Sequence, residues 1–291
     1  MVRLLVCGLL EFDSGKTWAT VGLARYLIER GYNVEVYKPV AGHNLWYSSK
    51  GIRYTRKLGI LVGDDVATYV EVLGVSEPHK INPIDLALAI PRLRGLDSRS
   101  MSEYRLALQS QDKILVLARF TDPVTGNTAH YLVVDNLDRI APAVRKLVEE
   151  LAAKLKTQKI ELKPLLALLS SRHVAEILEF GATLLEKQAD ILIIESFNNV
   201  LEPYGGLLAK VDLVIVVAPG YAIVLHDVKT VRETAIKLSQ LLGVEGLRTN
   251  LVLEKPEVAS TAKLVEIEYL GKVGERVEKL GKYIEEILSL S

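Results

Sequence analysis

Short, nearly continuous apolar runs alternate with longer amphipathic stretches along most of the chain. The apolar runs predict core strands at residues 4–7, 34–37, 191–194, 213–217 and 251–253. The amphipathic stretches predict helices at residues 16–30, 174–188, 226–242 and 273–288. Strands that helices cover on both faces are apolar throughout, so this alternation is typical of βαβ units. The sequence therefore predicts an α/β fold with a mostly parallel sheet sandwiched by helices.

The central part of the chain departs from this alternation. Residues 113–120 and 130–134 predict two antiparallel strands, because the segment between them contains Pro123, Gly126 and Asn127, which are typical turn residues. A helix is predicted to follow at residues 141–156. No linker rich in Ser, Gly or Pro separates this part from the rest. We interpret residues 95–165 as an inserted β-hairpin and helix within a single domain that spans residues 1–291.

Composition excludes several classes of protein. The 291 residues include 36 basic and 36 acidic side chains, and this balance argues against a nucleic-acid binder that relies on bulk charge. The only cysteine, Cys7, cannot form a disulfide framework or a cysteine-based zinc site, and it fits a reducing, cytoplasmic location. The sequence contains no run of 18 consecutive apolar residues, so no membrane span is predicted. The scarcity of Cys and Met is typical of a thermophile.

The segment from Gly8 to Thr17 follows the first predicted strand and opens the first long helix. Backbone N–H groups in such a loop bind phosphate oxygens, the lysine neutralises phosphate charge, and the Thr hydroxyl ligates Mg²⁺. Six residues separate Gly8 from Gly15, where the standard motif has four. An ordinary turn with a surface lysine is the alternative. We predict a phosphate loop with a catalytic Lys16, and the residues predicted to bind nucleotide are Glu11, Phe12, Asp13, Ser14, Gly15, Lys16, Thr17 and Trp18.

An acidic residue, Glu195, ends the apolar run at residues 191–194. Parallel strands present such a side chain at the carboxyl edge of the sheet, which is where phosphate loops also lie. There the carboxylate can hold Mg²⁺ or its water. We predict Glu195 and Thr17 as metal ligands; an acid that merely ends a strand is the alternative.

Further segments resemble the dethiobiotin-synthetase-like branch of the P-loop NTPases. The similar segments, in the family's order, are the long phosphate loop, Tyr37-Lys38-Pro39-Val40, Gly63-Asp64-Asp65-Val66-Ala67, Ile81-Asn82-Pro83-Ile84 and Ile194-Glu195. The resemblance covers most of the chain except residues 95–165. It implies binding of ATP and Mg²⁺ and a homodimer.

The resemblance also implies roles for individual residues. Lys38 would face the transferred phosphate or an anionic substrate group and take part in catalysis. Asp65, in preference to Asp64, would complete the Mg²⁺ shell, which prefers oxygen ligands. Asn250 would lie where the family reads adenine, although an Asn near a strand often only caps a turn.

Two departures from the family concern the substrate. Glu195 is followed by the bulkier Ser196, Phe197 and two asparagines, where the family has a Gly-rich segment, so we expect a different substrate. The segment after Lys38 contains His43, Asn44 and Trp46 together with four basic residues at positions 50, 53, 56 and 57. These side chains predict a small anionic ligand with a flat or sugar-like part. An exposed amphipathic helix whose aromatic residues are core is the alternative.

These observations predict transfer or hydrolysis of the γ-phosphate of Mg²⁺-ATP, with activation of a carboxylate or carbamate of a small anionic substrate. A nucleotide-switch ATPase or GTPase acting on a protein partner is one alternative, although no second lysine lies between Gly8 and Gly15. A 5′-hydroxyl polynucleotide kinase is another, suggested by Asp13-Ser14-Gly15-Lys16 and by the basic residues at 50–57, and weakened by the zero net charge.

Overall fold

The computed structural model describes residues 1–268 and 277–290, and within them the chain is of the mixed α/β class, as predicted. The strands of these residues are β1 (Val2–Gly8), β2 (Val34–Tyr37), β3 (Val40–Asn44), β4 (Ile84–Leu88), β5 (Leu115–Thr121), β6 (Thr128–Val133), β7 (Gln158–Ile160), β8 (Ile191–Glu195), β9 (Leu213–Ala218), β10 (Tyr221–Leu225) and β11 (Ala262–Glu266).

Along the described part of the chain, helices alternate with strands in most places, as a βαβ pattern requires. They are α1 (Lys16–Ile28), α2 (Ser49–Leu58), α3 (Asp64–Leu73), α4 (Pro78–Ile81), α5 (Ser98–Gln109), α6 (Pro142–Lys154), α7 (Leu162–Leu169), α8 (Arg172–Glu186), α9 (Val228–Leu242), α10 (Thr249–Leu253), α11 (Pro256–Ala259) and α12 (Glu278–Leu290). None of these helices combines the length and the apolar character that a membrane span requires.

The chain divides into two compact units: unit 1 is Met1–Pro39 with Leu178–Ser291, and unit 2 is Val40–Ile177. Unit 1 contains a six-stranded sheet in the order β11-β10-β9-β1-β8-β2. The four strands from β9 to β2 are parallel, and β10 and β11 extend the sheet in antiparallel fashion. β1 therefore lies in the middle of the sheet. Its side chains are buried on both faces, which explains its continuous apolar sequence.

Unit 2 contains a five-stranded mixed sheet in the order β3-β4-β5-β6-β7. The predicted hairpin is present as the antiparallel pair β5 and β6, and it lies inside this larger sheet. Val144, Val148 and Leu151 of α6 pack with Val116 in one core, while Leu165 of α7 packs in another. The unit begins at Val40 and is wider than residues 95–165. An insertion at 95–165 in a single domain stays a prediction.

One predicted strand is wrong. Residues 251–253 lie in the short helix α10, and Asn250 is in its first turn. The backbone N–H and the hydroxyl of Thr249 both donate to the carbonyl of Asn199, at 2.8 and 3.0 Å, and hold the start of this helix. A three-residue apolar run cannot distinguish strand from helix, so tertiary contacts decide. The other predicted strands and helices lie within a few residues of those observed, except that residues 273–276 of the last predicted helix lie outside the described residues.

Candidate functional site

The predicted phosphate loop connects β1 to α1 in unit 1. The backbone N–H of Leu9 donates to the carbonyl of Val217 at 2.9 Å and so continues the pairing of β1 with β9. The Ser14 hydroxyl accepts from the Leu10 N–H at 2.9 Å and donates to the Leu10 carbonyl at 2.8 Å. These two bonds close the loop around a buried Ser14. The extra residues of the loop, among them Glu11, Phe12 and Asp13, are therefore exposed.

Glycine is required at both ends of the loop. A Cβ atom at Gly8 would lie 2.7 Å from Ser14 Oγ, 2.9 Å from Lys16 Nζ and 3.0 Å from the carbonyl oxygen of Asn198. Gly15 has a φ of +85°, which favours glycine, and it precedes the first turn of α1. The ammonium group of Lys16 therefore lies against the end of β1, where the absence of a side chain at Gly8 makes room for it.

Cys7 lies directly before this loop and is fully buried in β1. Its thiol is 3.7 Å from the carbonyl oxygen of Leu201. Burial raises the pKa of Cys7 to about 12, although Lys16 and Thr249 oppose the increase. The thiol is therefore protonated at neutral pH and fills the core beneath the loop.

Three of the predicted site residues meet at the carboxyl end of β8. The Thr17 hydroxyl donates to Glu195 Oε1 at 3.0 Å, and Lys38 Nζ lies 2.6 Å from the same oxygen. The side chains of Lys38 and Glu195 are 2% and 0% exposed. The strand register explains the meeting, because β8 lies between β1 and β2, and Ile194 pairs with Tyr37, the residue before Lys38.

The donor atoms of this cluster fit Mg²⁺ and a nucleotide phosphate. Thr17 and Glu195 supply oxygen atoms, which Mg²⁺ prefers. Within residues 1–268 and 277–290, no group of three or more His, Cys, Asp or Glu residues could enclose a metal ion. A partial set of ligands suits Mg²⁺, since this ion usually retains several waters and binds substrate phosphates. Thr17 and Glu195 would hold the ion, and Lys16 would lie on the phosphate side.

We expect Thr17→Ala to raise the Mg²⁺ concentration needed for half-maximal nucleotide turnover by about 10-fold or more, because loss of a group that supports a metal typically costs 10- to 100-fold in affinity. Thr17→Ser keeps the hydroxyl and is expected to stay within a few-fold of the unaltered protein. Turnover measured against Mg²⁺ concentration checks this. Equal Mg²⁺ requirements in the two variants would contradict the role of the hydroxyl.

The bulky segment after Glu195 is attached to α10. The Ser196 hydroxyl donates to the carbonyl of Val200, and Asn198 adopts a φ of +45°. Asn199 Nδ2 donates to Asn250 Oδ1 at 3.3 Å. The predicted adenine residue Asn250 is therefore bound to a neighbour through its amide oxygen, and its role toward a base stays a prediction. Trp18 lies in the first turn of α1 and is half exposed.

Unit 2 brings His43, Asn44 and Asp65 together around a pocket of about 120 Å³. The residues that line it are Ala41, Gly42, His43, Asn44, Tyr47, Ser48, Gly63, Asp64 and Asp65. Asp64 Oδ1 accepts from the Ser48 hydroxyl at 2.7 Å and from the Gly51 N–H at 2.5 Å, which holds that carboxylate in place. Trp46 is exposed and is not among the lining residues. Asp65 lies in the first turn of α3, and its part in a Mg²⁺ shell stays a prediction.

The sequence analysis missed Asp85, which is fully buried behind His43. His43 Nδ1 lies 3.0 Å from Asp85 Oδ1, and Asp85 Oδ2 accepts from the Gly63 N–H at 2.9 Å. Burial disfavours the charged imidazole, but Asp85, with smaller contributions from Asp64 and Asp65, raises the pKa of His43 above its ordinary value. An acid inside the apolar run at residues 84–89 is the signal that could have indicated Asp85.

A buried arginine lies in the same part of unit 2. The Arg119 guanidinium donates to the Leu61 carbonyl at 2.7 Å, to Thr121 Oγ1 at 3.0 Å and to Asn82 Oδ1 at 2.5 Å. Burial lowers the pKa of Arg119 to about 10, which leaves it charged at neutral pH. His130 Nε2 accepts from the Leu61 N–H at 3.1 Å, and burial and Arg119 lower the pKa of His130 to about 4. His130 is therefore neutral at pH 7.

His130 predicts a loss of stability in mild acid. Below pH 6.5 the unfolded chain binds a proton that the folded chain binds only near pH 4, so the free energy of unfolding falls as the pH is lowered. We expect His130 to contribute about 1.5 kcal/mol of this fall between pH 6.5 and pH 5. The pKa of His43 is raised, so His43 increases the free energy of unfolding as the pH is lowered toward 6.5. His43 therefore opposes the fall caused by His130 only above pH 6.5.

Chemical denaturation at several pH values checks this expectation. His130→Gln keeps an acceptor for the Leu61 N–H and removes the titration, so the fall should be smaller in this variant. The matched control is His173→Gln, at an exposed position, which should behave as the unaltered protein. An unchanged pH dependence in His130→Gln would contradict the assignment.

No family model matches the chain, and no curated protein matches it. Among solved structures, the chain is similar to a KaiC-like protein from the hyperthermophilic archaeon Pyrococcus horikoshii OT3, with 17% identity, 78% of each chain covered and a TM-score of 0.24. The chain itself has a mixed α/β fold with two sheets.

Proposed function

We propose that unit 1 binds a nucleoside triphosphate with Mg²⁺ and transfers or hydrolyses its γ-phosphate. One observation carries the proposal: the half-buried Thr17 and the buried Lys38 and Glu195 meet at the carboxyl end of β8, beside the strand that leads into the loop from Gly8 to Gly15, which Lys16 follows. Ligands of open α/β sheets bind at the carboxyl ends of the strands. The cluster and the loop are next to each other on adjacent parallel strands.

Phosphoryl transfer requires positioning and neutralisation of charge more than covalent participation by the protein. Lys16 would neutralise phosphate oxygens at the loop, and Lys38 would stabilise charge on the transferred group. Glu195 accepts from both Thr17 and Lys38, so it fixes the two donors relative to each other. When bound, Mg²⁺ would supply further neutralisation of the phosphates. ATP is the nucleotide we propose, with GTP as the alternative.

For the acceptor, we favour a carboxylate or carbamate of a small anionic substrate, as in a dethiobiotin-synthetase-like ligase. The sequence Tyr37-Lys38-Pro39-Val40 supports this choice. The homodimer and the cytoplasmic location stay predictions.

The four basic residues that suggested a polynucleotide kinase have partners within unit 2. Lys50 Nζ lies 2.8 Å from Glu71 Oε2, and Arg56 Nε lies 2.9 Å from Glu150 Oε1. Arg53 and Lys57 lie 5.6 and 5.5 Å from the ring centre of Tyr54. These contacts reduce the charge available to a polynucleotide, so they favour the small substrate over the kinase.

Stimulated hydrolysis of ATP and GTP tests the proposal, with small carboxylates, diamines and 5′-hydroxyl oligonucleotides added one at a time. Stimulation by carboxylates or by diamines, whose carbamates form in bicarbonate buffer, would support the ligase. Stimulation by oligonucleotides alone would support the kinase, and turnover that none of them changes would support the switch. Absence of both nucleotide binding and turnover would contradict the assignment of the loop.

A further inference from the structure

Unit 2 contains a second, larger cleft of about 420 Å³ that the proposed nucleotide site does not use. Four basic side chains line it: Arg92, Arg94, Lys113 and Arg139. Tyr104 and Leu106 of α5 supply a flat and an apolar surface. The volume lies within the range of small-molecule sites, about 300 to 1,000 Å³.

The fold brings these four cations together from three separate segments. Pro91 and Ile140 form an antiparallel bridge, and the Arg92 N–H donates to the Arg139 carbonyl at 2.7 Å. Lys113 lies in the turn between α5 and β5. The Asp97 carboxylate caps α5 by accepting from the N–H groups of Arg99 and Ser100, at 3.1 and 3.0 Å. The cleft is therefore bounded by the bridged segments around Pro91 and Ile140 and by the capped helix α5.

The cleft has an excess of unpaired positive charge. Among residues 1–268 and 277–290, no carboxylate forms an ion pair with any of the four cations, and Arg139 makes only a 3.4 Å contact with Asn136 Oδ1. The one acid that lines the cleft, Glu103, accepts from Arg99 at 2.9 Å. Some other arginines of unit 2 do pair with carboxylates, for example Arg56 with Glu150 and Arg145 with Glu149, both at 2.9 Å. Like charges around a concave surface raise the local potential for an anion.

We propose that this cleft binds a small ligand with two or more phosphate or carboxylate groups and a flat or apolar part that contacts Tyr104. Arginine guanidinium groups bind phosphate and carboxylate through paired hydrogen bonds, so three of them suit a multiply charged ligand. All residues that line the cleft belong to unit 2, whereas the proposed nucleotide site is built from unit 1. It gives a function to part of the segment that the sequence analysis treated as an insertion.

Calorimetric titration of tripolyphosphate and of citrate tests the proposal. Both probes are titrated into Lys16→Ala protein, so that the phosphate loop contributes little affinity. We expect one or both probes to bind, and Arg94→Gln with Lys113→Gln to weaken binding at least 10-fold. The matched control is Arg105→Gln with Lys146→Gln, which removes two charges from exposed positions that do not line the cleft and leaves the Arg99–Glu103 pair intact. It should weaken binding less than threefold.

The two probes distinguish the sources of negative charge. Binding of tripolyphosphate alone indicates a phosphorylated ligand, binding of citrate alone a polycarboxylate, and binding of both a ligand recognised by charge. Failure of both probes to bind would overturn the proposal. Equal weakening in the cleft variant and the control would overturn it too, because the affinity would then reflect total charge. Thermal unfolding checks that the variants are folded, and the substitutions at 94, 105, 113 and 146 all lie at exposed positions.

Discussion

Replacing Lys16 with alanine is expected to lower Mg²⁺-dependent nucleotide turnover by about 100- to 1,000-fold, the usual loss when one preorganised electrostatic contact to the transition state is removed. The ammonium group of Lys16 lies against Gly8, at the mouth of the loop, where a phosphate would be bound. Turnover is measured as phosphate release at saturating Mg²⁺. Binding of a fluorescent ATP analogue, measured in parallel, separates lost affinity from lost chemistry.

The matched control is Arg25→Ala on the same helix. Arg25 is exposed, and its nearest carboxylate, Glu29, is 3.9 Å away. This variant removes a positive charge from α1 without changing the loop, so its turnover should stay within twofold of the unaltered protein. Full turnover in Lys16→Ala would exclude the phosphate-loop assignment, whatever the control shows.

Replacing Lys38 with methionine is expected to lower the free energy of unfolding by about 3 to 5 kcal/mol, because the Glu195 carboxylate then stays buried without its lysine. Glu195→Gln in the same chain removes the remaining charge and keeps an acceptor for Thr17. The double variant should therefore be more stable than Lys38→Met alone. Denaturant unfolding of both variants, followed by circular dichroism, measures the two differences.

Lys50→Met is the control for this pair, since Lys50 forms a partly exposed ion pair with Glu71 at 2.8 Å. We expect a loss of less than about 1 kcal/mol there. The role of Lys38 toward the acceptor is tested in Lys38→Met alone, because the double variant also lacks the predicted metal ligand Glu195. Under conditions where it is folded, Lys38→Met should bind nucleotide but show no substrate-stimulated turnover. If its only defect is weaker nucleotide binding, the role of Lys38 toward the acceptor is wrong.

The sequence predicts unit 1 well because its strands and its loop are local patterns. β1, β2, β8 and β9 are nearly continuous apolar runs, and a Gly-Lys-Thr tripeptide opens α1. The Glu195 carboxylate was predicted at the end of β8 because an acid ends that apolar run. In the structure it lies beside Thr17 and Lys38. Residues that end neighbouring parallel strands lie together at the carboxyl edge of the sheet. The position of Glu195 could therefore be predicted without knowledge of its contacts.

Unit 2 could not be predicted in the same way. The buried Asp85, Arg119 and His130 lie on three different strands, and only the pairing of β4, β5 and β6 makes them neighbours. A single charged residue inside a short apolar run does not indicate a buried cluster unless its partners on the other strands are known. The cleft near α5 has the same origin, since its cations come from distant parts of the sequence.

The burial of Cys7 provides a measurement of ligand binding that needs no enzymatic activity. Cys7 is the only thiol of the chain, and in the folded state it is inaccessible and protonated. An alkylating reagent can therefore react with it only after the central strand of unit 1 has opened. Any nucleotide that binds the folded state should slow this labelling in proportion to 1 + [ligand]/Kd. The rate of thiol modification at a series of concentrations thus yields the affinity of each nucleotide, in variants without turnover as well.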